Sequence, residues 1–211
     1  MGDDGKKRGS EIGRVIDQVV RDGLAVSLKA AGYRKDGRTF RRADAGCTRV
    51  VNVQGSQWNT GDEGRFTVNL GLYVPSLLPF LDTARSTDLP TVPVCLLGDG
   101  IGSLTPAGQH HWWIVAAGTD LAALAAEVRD TWERHGAPWM DAHADLPAAR
   151  GYAVRKGRPY WAAAVSLALG EPDAARTQLA EAVAGWPANS DGAARLLAWG
   201  ERHGIGPGAR A

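Results

Sequence analysis

The chain reads as an α+β protein. An antiparallel meander sheet of about five strands is packed by an N-terminal and a central helix, and a C-terminal α-helical hairpin or bundle follows. Three observations carry that reading. Apolar residues recur at helical spacing over residues 12–31. Segments that alternate apolar and polar residues then follow one another across short turns to about residue 116. Beyond residue 119 the sequence becomes rich in Ala and Leu and returns to helical periodicity.

The first helix is expected between Ser10 and Gly32. Ile12, Val15, Ile16, Val19, Leu24 and Leu28 make one apolar stripe, Ser10 is a suitable N-cap, and Gly32 a suitable stop. Gly13 and Gly23 fall inside it. Each costs about 1 kcal/mol against alanine, so the helix has to lean on tertiary packing. The strands come next. "RTFRRA" and "CTRVVNVQ" flank Asp44 to Gly46, a hairpin turn with a glycine available for positive φ. The loop "SQWNTGDEG" leads into "RFTVNLGLYV", which Pro75 closes because proline has no N–H for a central ladder. Residues 76–90 read as a helical turn or irregular excursion. A strand near "VPVCLL", a loop "GDGIGSLTPAGQ" and a strand near "HHWWIVA" complete the sheet.

"TDLAALAAEVRDTWERHG" is a helix with Thr119 as cap, Leu124, Val128 and Trp132 on its stripe, and Gly136 as its stop. Pro138 and Pro147 break the next stretch into short pieces. "YWAAAVSLALG", "EPDAARTQLAEAVAGW" and "SDGAARLLAWGERHG" form an α-hairpin with a third helix. The expected layout is a disordered tail over 1–10, a sheet domain over 11–136, a helical subdomain over 137–204 and a second disordered tail over 205–211.

At 44% hydrophobic and 22% charged residues, the composition is that of a globular protein able to bury a core without disulfides or metal. Cys47 and Cys95 form neither a metal knuckle nor a disulfide framework and suit a reducing compartment. No apolar run approaches the roughly 20 residues that span a bilayer, and the polar N-terminus lacks a signal-like core, so a cytoplasmic protein without a membrane partner is expected. The net charge of +1 argues against a general polyanion binder. The charge is uneven, however, at +5 over residues 1–49 and −4 over the rest. Arg34, Lys35, Arg38, Arg41 and Arg42 concentrate the excess in "YRKDGRTFRR". Such a stretch either contacts phosphate or keeps a hairpin solvated, and nucleic acid is not the expected partner.

The order of motifs resembles the bacterial family called domain of unknown function 4304. "VVNVQGSQWN", "RFTVNLGLYVP", "CLLGDGIGSL", "HHWWIV" and "GAPWMDAHAD" carry the likeness, over about residues 14–145. The resemblance implies an α+β domain and transfers no catalytic or binding residue. The sequence departs from the family at "TPAGQHH", where charged residues are usual, so His110 and His111 are features of this chain. The tail is similar to one tetratricopeptide-type hairpin. With Gly170 in the turn, Ala175, Leu179, Ala182 and Pro187 fall on the second-helix positions, whereas Ala162, Ala163 and Ser166 depart from the first-helix pattern. One such repeat cannot bury its own face.

A strand period of two turns Val51 and Val53 one way and Asn52 and Gln54 the other. In the following strand Phe66, Val68, Leu70 and Leu72 oppose Arg65, Thr67 and Asn69. Paired as a hairpin, the two polar sets share a face. Amides are not favoured in strands. They donate and accept, and Arg65 can hold a carboxylate or phosphate through two parallel bonds. Trp113 or Trp112 adds an aromatic wall, depending on register. Trp58, in the polar loop, either anchors a partner or folds back on the core. The candidate site is therefore Asn52, Gln54, Trp58, Arg65, Thr67, Asn69 and Trp113. It would serve a partner protein or a small polar or anionic ligand. The protein's own helices, or water, could equally cover that face.

No catalytic motif and no metal-ligand set emerges, and no cofactor is expected. Asp141, His143 and Asp145 sit at two-residue spacing between prolines, which suits a helix start better than a metal site. "GDGIGS" lacks the Lys-Ser/Thr of a phosphate loop and reads as a turn. Cys95, among Val94, Leu96 and Leu97, reads as a buried thiol. The functional expectation is a non-enzymatic binding or adaptor module of the immunity or accessory type. The alternative is an enzyme of undescribed type, in specialised metabolism, with a pocket between sheet and C-terminal helices. Arg65, Asn52, Gln54 and Asn69 would there orient an anionic substrate.

Overall fold

The computed structural model describes residues 4–60, 62–81 and 86–206, with side chains from Glu11 onward. The chain divides into two compact units, one formed by Met1–Tyr73 with Leu89–Asp141 and the other by Val74–Asp88 with Ala142–Ala211.

The first unit opens with α1 (Asp4–Asp22) and α2 (Leu24–Ala30). Ser10 lies inside α1, not at its cap, because helix already occupies residues expected in the tail. Gly32 ends α2 at φ +82°, as its spacing requires. Gly23 separates the two helices for a reason the sequence hides. A Cβ there would sit 2.2 Å from the carbonyl oxygen of Ala125. Ala125 belongs to α3 (Leu121–Thr131), which crosses at this point. Only glycine permits that approach.

Six strands follow the meander. They are β1 (Arg34–Asp36), β2 (Thr39–Asp44), β3 (Cys47–Gly55), β4 (Glu63–Tyr73), β5 (Leu97–Gly100) and β6 (Trp113–Ala116). All pairings are antiparallel, in the order β1-β2-β3-β4-β5, with β6 also on β4. β5 takes Asn69 to Leu72 of β4, and β6 takes Glu63 to Phe66. One edge of β4 thus serves two short strands. The strand expected near "VPVCLL" is displaced. Val92–Val94 form a 3₁₀ turn around Pro93, and pairing begins only at Leu97. Half of "GDGIGS", expected to be a turn, is consequently strand, and Ile101–Leu104 form another 3₁₀ turn.

The apolar face of this sheet, with Phe40, Val51, Val53, Phe66, Val68 and Leu70 buried, forms the core with Ile16, Val19, Leu24, Leu28 and Val128 from the helices. Ile12 of α1 lies so close to Gly64 of β4 that a Cβ there would meet its methyl at 2.2 Å. α3 is capped by Asp120, whose carboxylate accepts from the backbone N–H groups of Ala122 and Ala123. Thr119, expected as the cap, instead accepts a bond from the N–H of Ala116. Nor does Gly136 stop the helix. Trp132–Gly136 widen into a π turn, and α4 (Ala137–Ala142) continues. The widened turn accommodates Pro138, which has no N–H for the carbonyl four residues back and whose ring would clash with it.

The second unit contains a 3₁₀ turn over Pro75–Phe80 and α5 (Leu146–Arg155), α6 (Pro159–Ala168), α7 (Pro172–Ala184) and α8 (Asp191–Arg202). Gly170 turns α6 into α7 at φ +74°. Ala163, Ala164, Ala175, Leu179, Trp199 and Ile205 make its core. The small alanines let α6 and α7 approach closely. Trp199 donates its indole N–H to the carbonyl of Phe80 at 2.9 Å, tying the 3₁₀ turn to α8. Ile205, expected in the tail, is buried, and its N–H bonds Gly200 at 2.8 Å. Residues 207–211 of that expected tail lie outside the described residues. Fully buried Ser166 donates to Gln178 at 2.8 Å and accepts from Arg150, which also pairs with Glu171. Among the described residues no helix is long and apolar enough to cross a membrane.

Candidate functional site

The pairing of β3 with β4 sets Asn52 opposite Asn69 and Gln54 opposite Thr67, with Val51 opposite Leu70 and Val53 opposite Val68 behind them. Directly opposed residues share a face, so the amide row and the apolar row lie back to back. The row is largely self-satisfied. Asn52 donates to Thr39 Oγ1 at 3.0 Å, and Asn69 donates to Gln54 Oε1 at 2.8 Å. Thr67 is buried, and its hydroxyl has no hydrogen-bond partner among the described residues. A Cβ built on Gly100 would lie 3.6 Å from His110 Nδ1 and 3.8 Å from Asn69 Oδ1, so both reach the same small space over β5. Further along this face, Cys95 packs over Gly71, and Arg41 donates to the carbonyl of Pro90 at 2.7 Å. The segment 90–95 covers that end.

The other end of the face is open. The loop joining β3 to β4 is held by Asn59, whose side chain accepts from the N–H of Arg65 at 2.8 Å and donates to its carbonyl at 3.1 Å. Ser56 Oγ accepts from the N–H of Trp58, and Thr60 bonds back to Glu63. On this fixed loop Trp58 is 80% exposed, so it does not fold back on the core. Trp58, Asn59, Arg65 and Glu63 border one cleft of about 720 Å³. Arg65 is engaged with Glu63 at 2.7 Å yet keeps more than half of its surface in solvent. Ile114, opposite Arg65 on β6, adds an exposed apolar side chain on the same face.

Trp113 is not part of this surface. It pairs with Phe66, which puts it on the apolar side. It stacks on Phe66 at 5.5 Å and donates its indole N–H to Glu127 at 2.9 Å. The register of β6 on β4 decides this, and residue alternation then assigns the open face to Ile114.

Most of the remaining sequence candidates already have partners. Arg38 pairs with Asp17, Arg41 with Asp36 and Arg42 with Asp44, so three of the five basic side chains in the first hairpin are neutralised locally. Asp141 binds Arg49, Asp145 caps α5 at Ala148, and His143 packs edge-on against Tyr152. The described residues contain no group of three or more His, Cys, Asp or Glu able to hold a metal.

An ionic cluster around one buried arginine is not evident from the sequence. Arg49 lies on the apolar face of β3 and bonds both Asp44 and Asp141. Burial disfavours charge on Asp44, but the bonds and charges of Arg42 and Arg49 prevail and hold its carboxyl below the usual range. Burial pushes neighbouring Tyr33 up to about 12. The signal was present in the alternation Cys47, Arg49, Val51, which places an arginine in an apolar row.

Fold and surface together define an α+β sheet protein with a helical unit and one solvent-open, aromatic-bearing end of a polar sheet face. The family described as Domain of unknown function (DUF4304) matches residues 24–142, more than half of the chain, and the protein belongs to it. The matched segment ends within one residue of the sheet unit's last residue. No curated protein and no solved structure matches the chain at a significant level.

Proposed function

We propose that this chain is a non-enzymatic binding module of the adaptor or accessory type in the bacterial cytoplasm, and that it takes a partner protein on the open end of its polar sheet face. The observation that carries this reading is Trp58, 80% exposed on a loop fixed by three side-chain bonds, one to Ser56 and two from Asn59. A rigid, exposed aromatic beside a half-exposed arginine has the composition of an interface anchor, and preorganisation lowers the entropy lost on docking. The amide row behind it is bonded within itself and acts as a firm base for the patch. The helical unit, with its tetratricopeptide-like α6–α7 hairpin, serves in this reading as a scaffold and not as a solenoid.

The test is purification of the tagged full chain from its own cells beside Trp58→Ala and Arg65→Glu. A stoichiometric partner held by the wild type and weakened about tenfold or more by each variant, at unchanged thermal stability, is the expected result. A partner retained equally by both variants, or turnover of a metabolite by the wild type alone, refutes it.

A further inference from the structure

The helical unit holds an open cleft of about 720 Å³ between α6, the end of α7 and the start of α8. Its size falls within the range of sites for small organic molecules. Trp199, 1% exposed and fixed through its indole N–H, lies at its base. Tyr160 meets Trp199 edge-on at 5.1 Å and Trp161 at 5.9 Å. Trp186 lines the cleft while 53% exposed, yet it is not free to wander. Its ring lies against Gly192 in the first turn of α8, where a Cβ would come within 2.4 Å of the indole. The lining is thus a set of four aromatic rings, three on the packed helices α6 and α8 and Trp186 on the loop between α7 and α8.

Charge selects among the molecules that such rings could hold. Arg158 and Arg195 both line the cleft. Among the described residues neither has an ion pair or side-chain hydrogen bond, whereas Arg150, Arg155 and Arg176 of the same unit each have a partner. Glu181 is the one acid on the lining, so its charged groups sum to a positive mouth. Free guanidiniums beside aromatic walls favour a flat apolar body that ends in an anion.

We propose that this cleft is a binding site for a small aromatic carboxylate, its ring system against Trp161 and Trp186 and its carboxylate met by Arg158 and Arg195. The site is separate from the sheet patch and does not depend on it.

Calorimetric titration of the full chain with naphthoate and with uncharged naphthamide tests it. Naphthoate binds at one site per chain, the amide binds about tenfold or more weakly, and Arg158→Gln with Arg195→Gln removes that preference without lowering Tm. Trp186→Ala weakens both probes. Three results overturn the proposal: no saturable naphthoate binding up to millimolar concentration, equal affinity for acid and amide, or loss of binding in Trp58→Ala with the arginine pair irrelevant.

Discussion

Two glycines in the N-terminal helices look interchangeable in the sequence and are not. By helix propensity alone, Gly13→Ala and Gly23→Ala should each stabilise the protein by up to about 1 kcal/mol. At Gly13 a Cβ would stand 3.6 Å from Arg38 Nη2, an ordinary contact, and the bond from that guanidinium to the Gly13 carbonyl is untouched. At Gly23 the Cβ would stand 2.2 Å from the oxygen and 2.8 Å from the carbon of the Ala125 carbonyl. That obstacle is backbone in the middle of α3, so the helices must part by more than about 1 Å to restore contact distance. Overpacking of this kind costs about 1–3 kcal/mol. Gly23→Ala should therefore lower Tm by about 2–12 °C, while Gly13→Ala raises it by at most about 2–4 °C, at the scale usual for a chain of this size. Urea titration followed by tryptophan fluorescence, with Tm by scanning calorimetry, reads both. A stabilising Gly23→Ala would show that the contact between α2 and α3 yields freely and would refute the packing argument.

Acid and thiol chemistry provide two more checks. Asp44 has a folded pKa below its ordinary value of 3.8, so its stabilising contribution is present above that value and is lost as pH falls through the lower one. Denaturant titrations from about pH 6 to about pH 2 should show wild-type stability falling more steeply below about pH 4 than that of Asp44→Asn, and parallel curves would remove Asp44 from that account. Burial pushes the Cys95 thiol up to about 12 and raises that of Cys47 as well. An aromatic disulfide reagent at about pH 8 should therefore label neither thiol quickly in the native protein and both in denaturant, and rapid native labelling would contradict the burial of both.

Much of the sheet was legible because its signals are local. The alternation through Val51, Asn52, Val53 and Gln54, and again from Arg65 to Leu70, assigns faces without knowledge of any partner strand. The hairpin at Asp44 to Gly46 and the glycines at 32 and 170 likewise declare themselves through backbone chemistry. The misplaced features depend on something distant. β5 begins late because Pro93 sits in a turn, and α3 runs on past Gly136 because a π turn accommodates Pro138. Trp113 changed sides because its face follows from which β4 residue it meets, a pairing some 47 positions apart in the chain.

The sequence by itself determined the α+β class, the family and the polar character of one sheet face, since each rests on periodicity or on the order of short motifs. Only the tertiary structure decided that the amide row bonds largely within itself, that Trp58 stands in solvent, and that four aromatic rings line one cleft of the helical unit with two arginines that have no ion-pair partner among the described residues. The physical reason is range. Alternation and turn chemistry act over a few residues, whereas exposure and side-chain partnership are set by segments that meet only when the chain has folded.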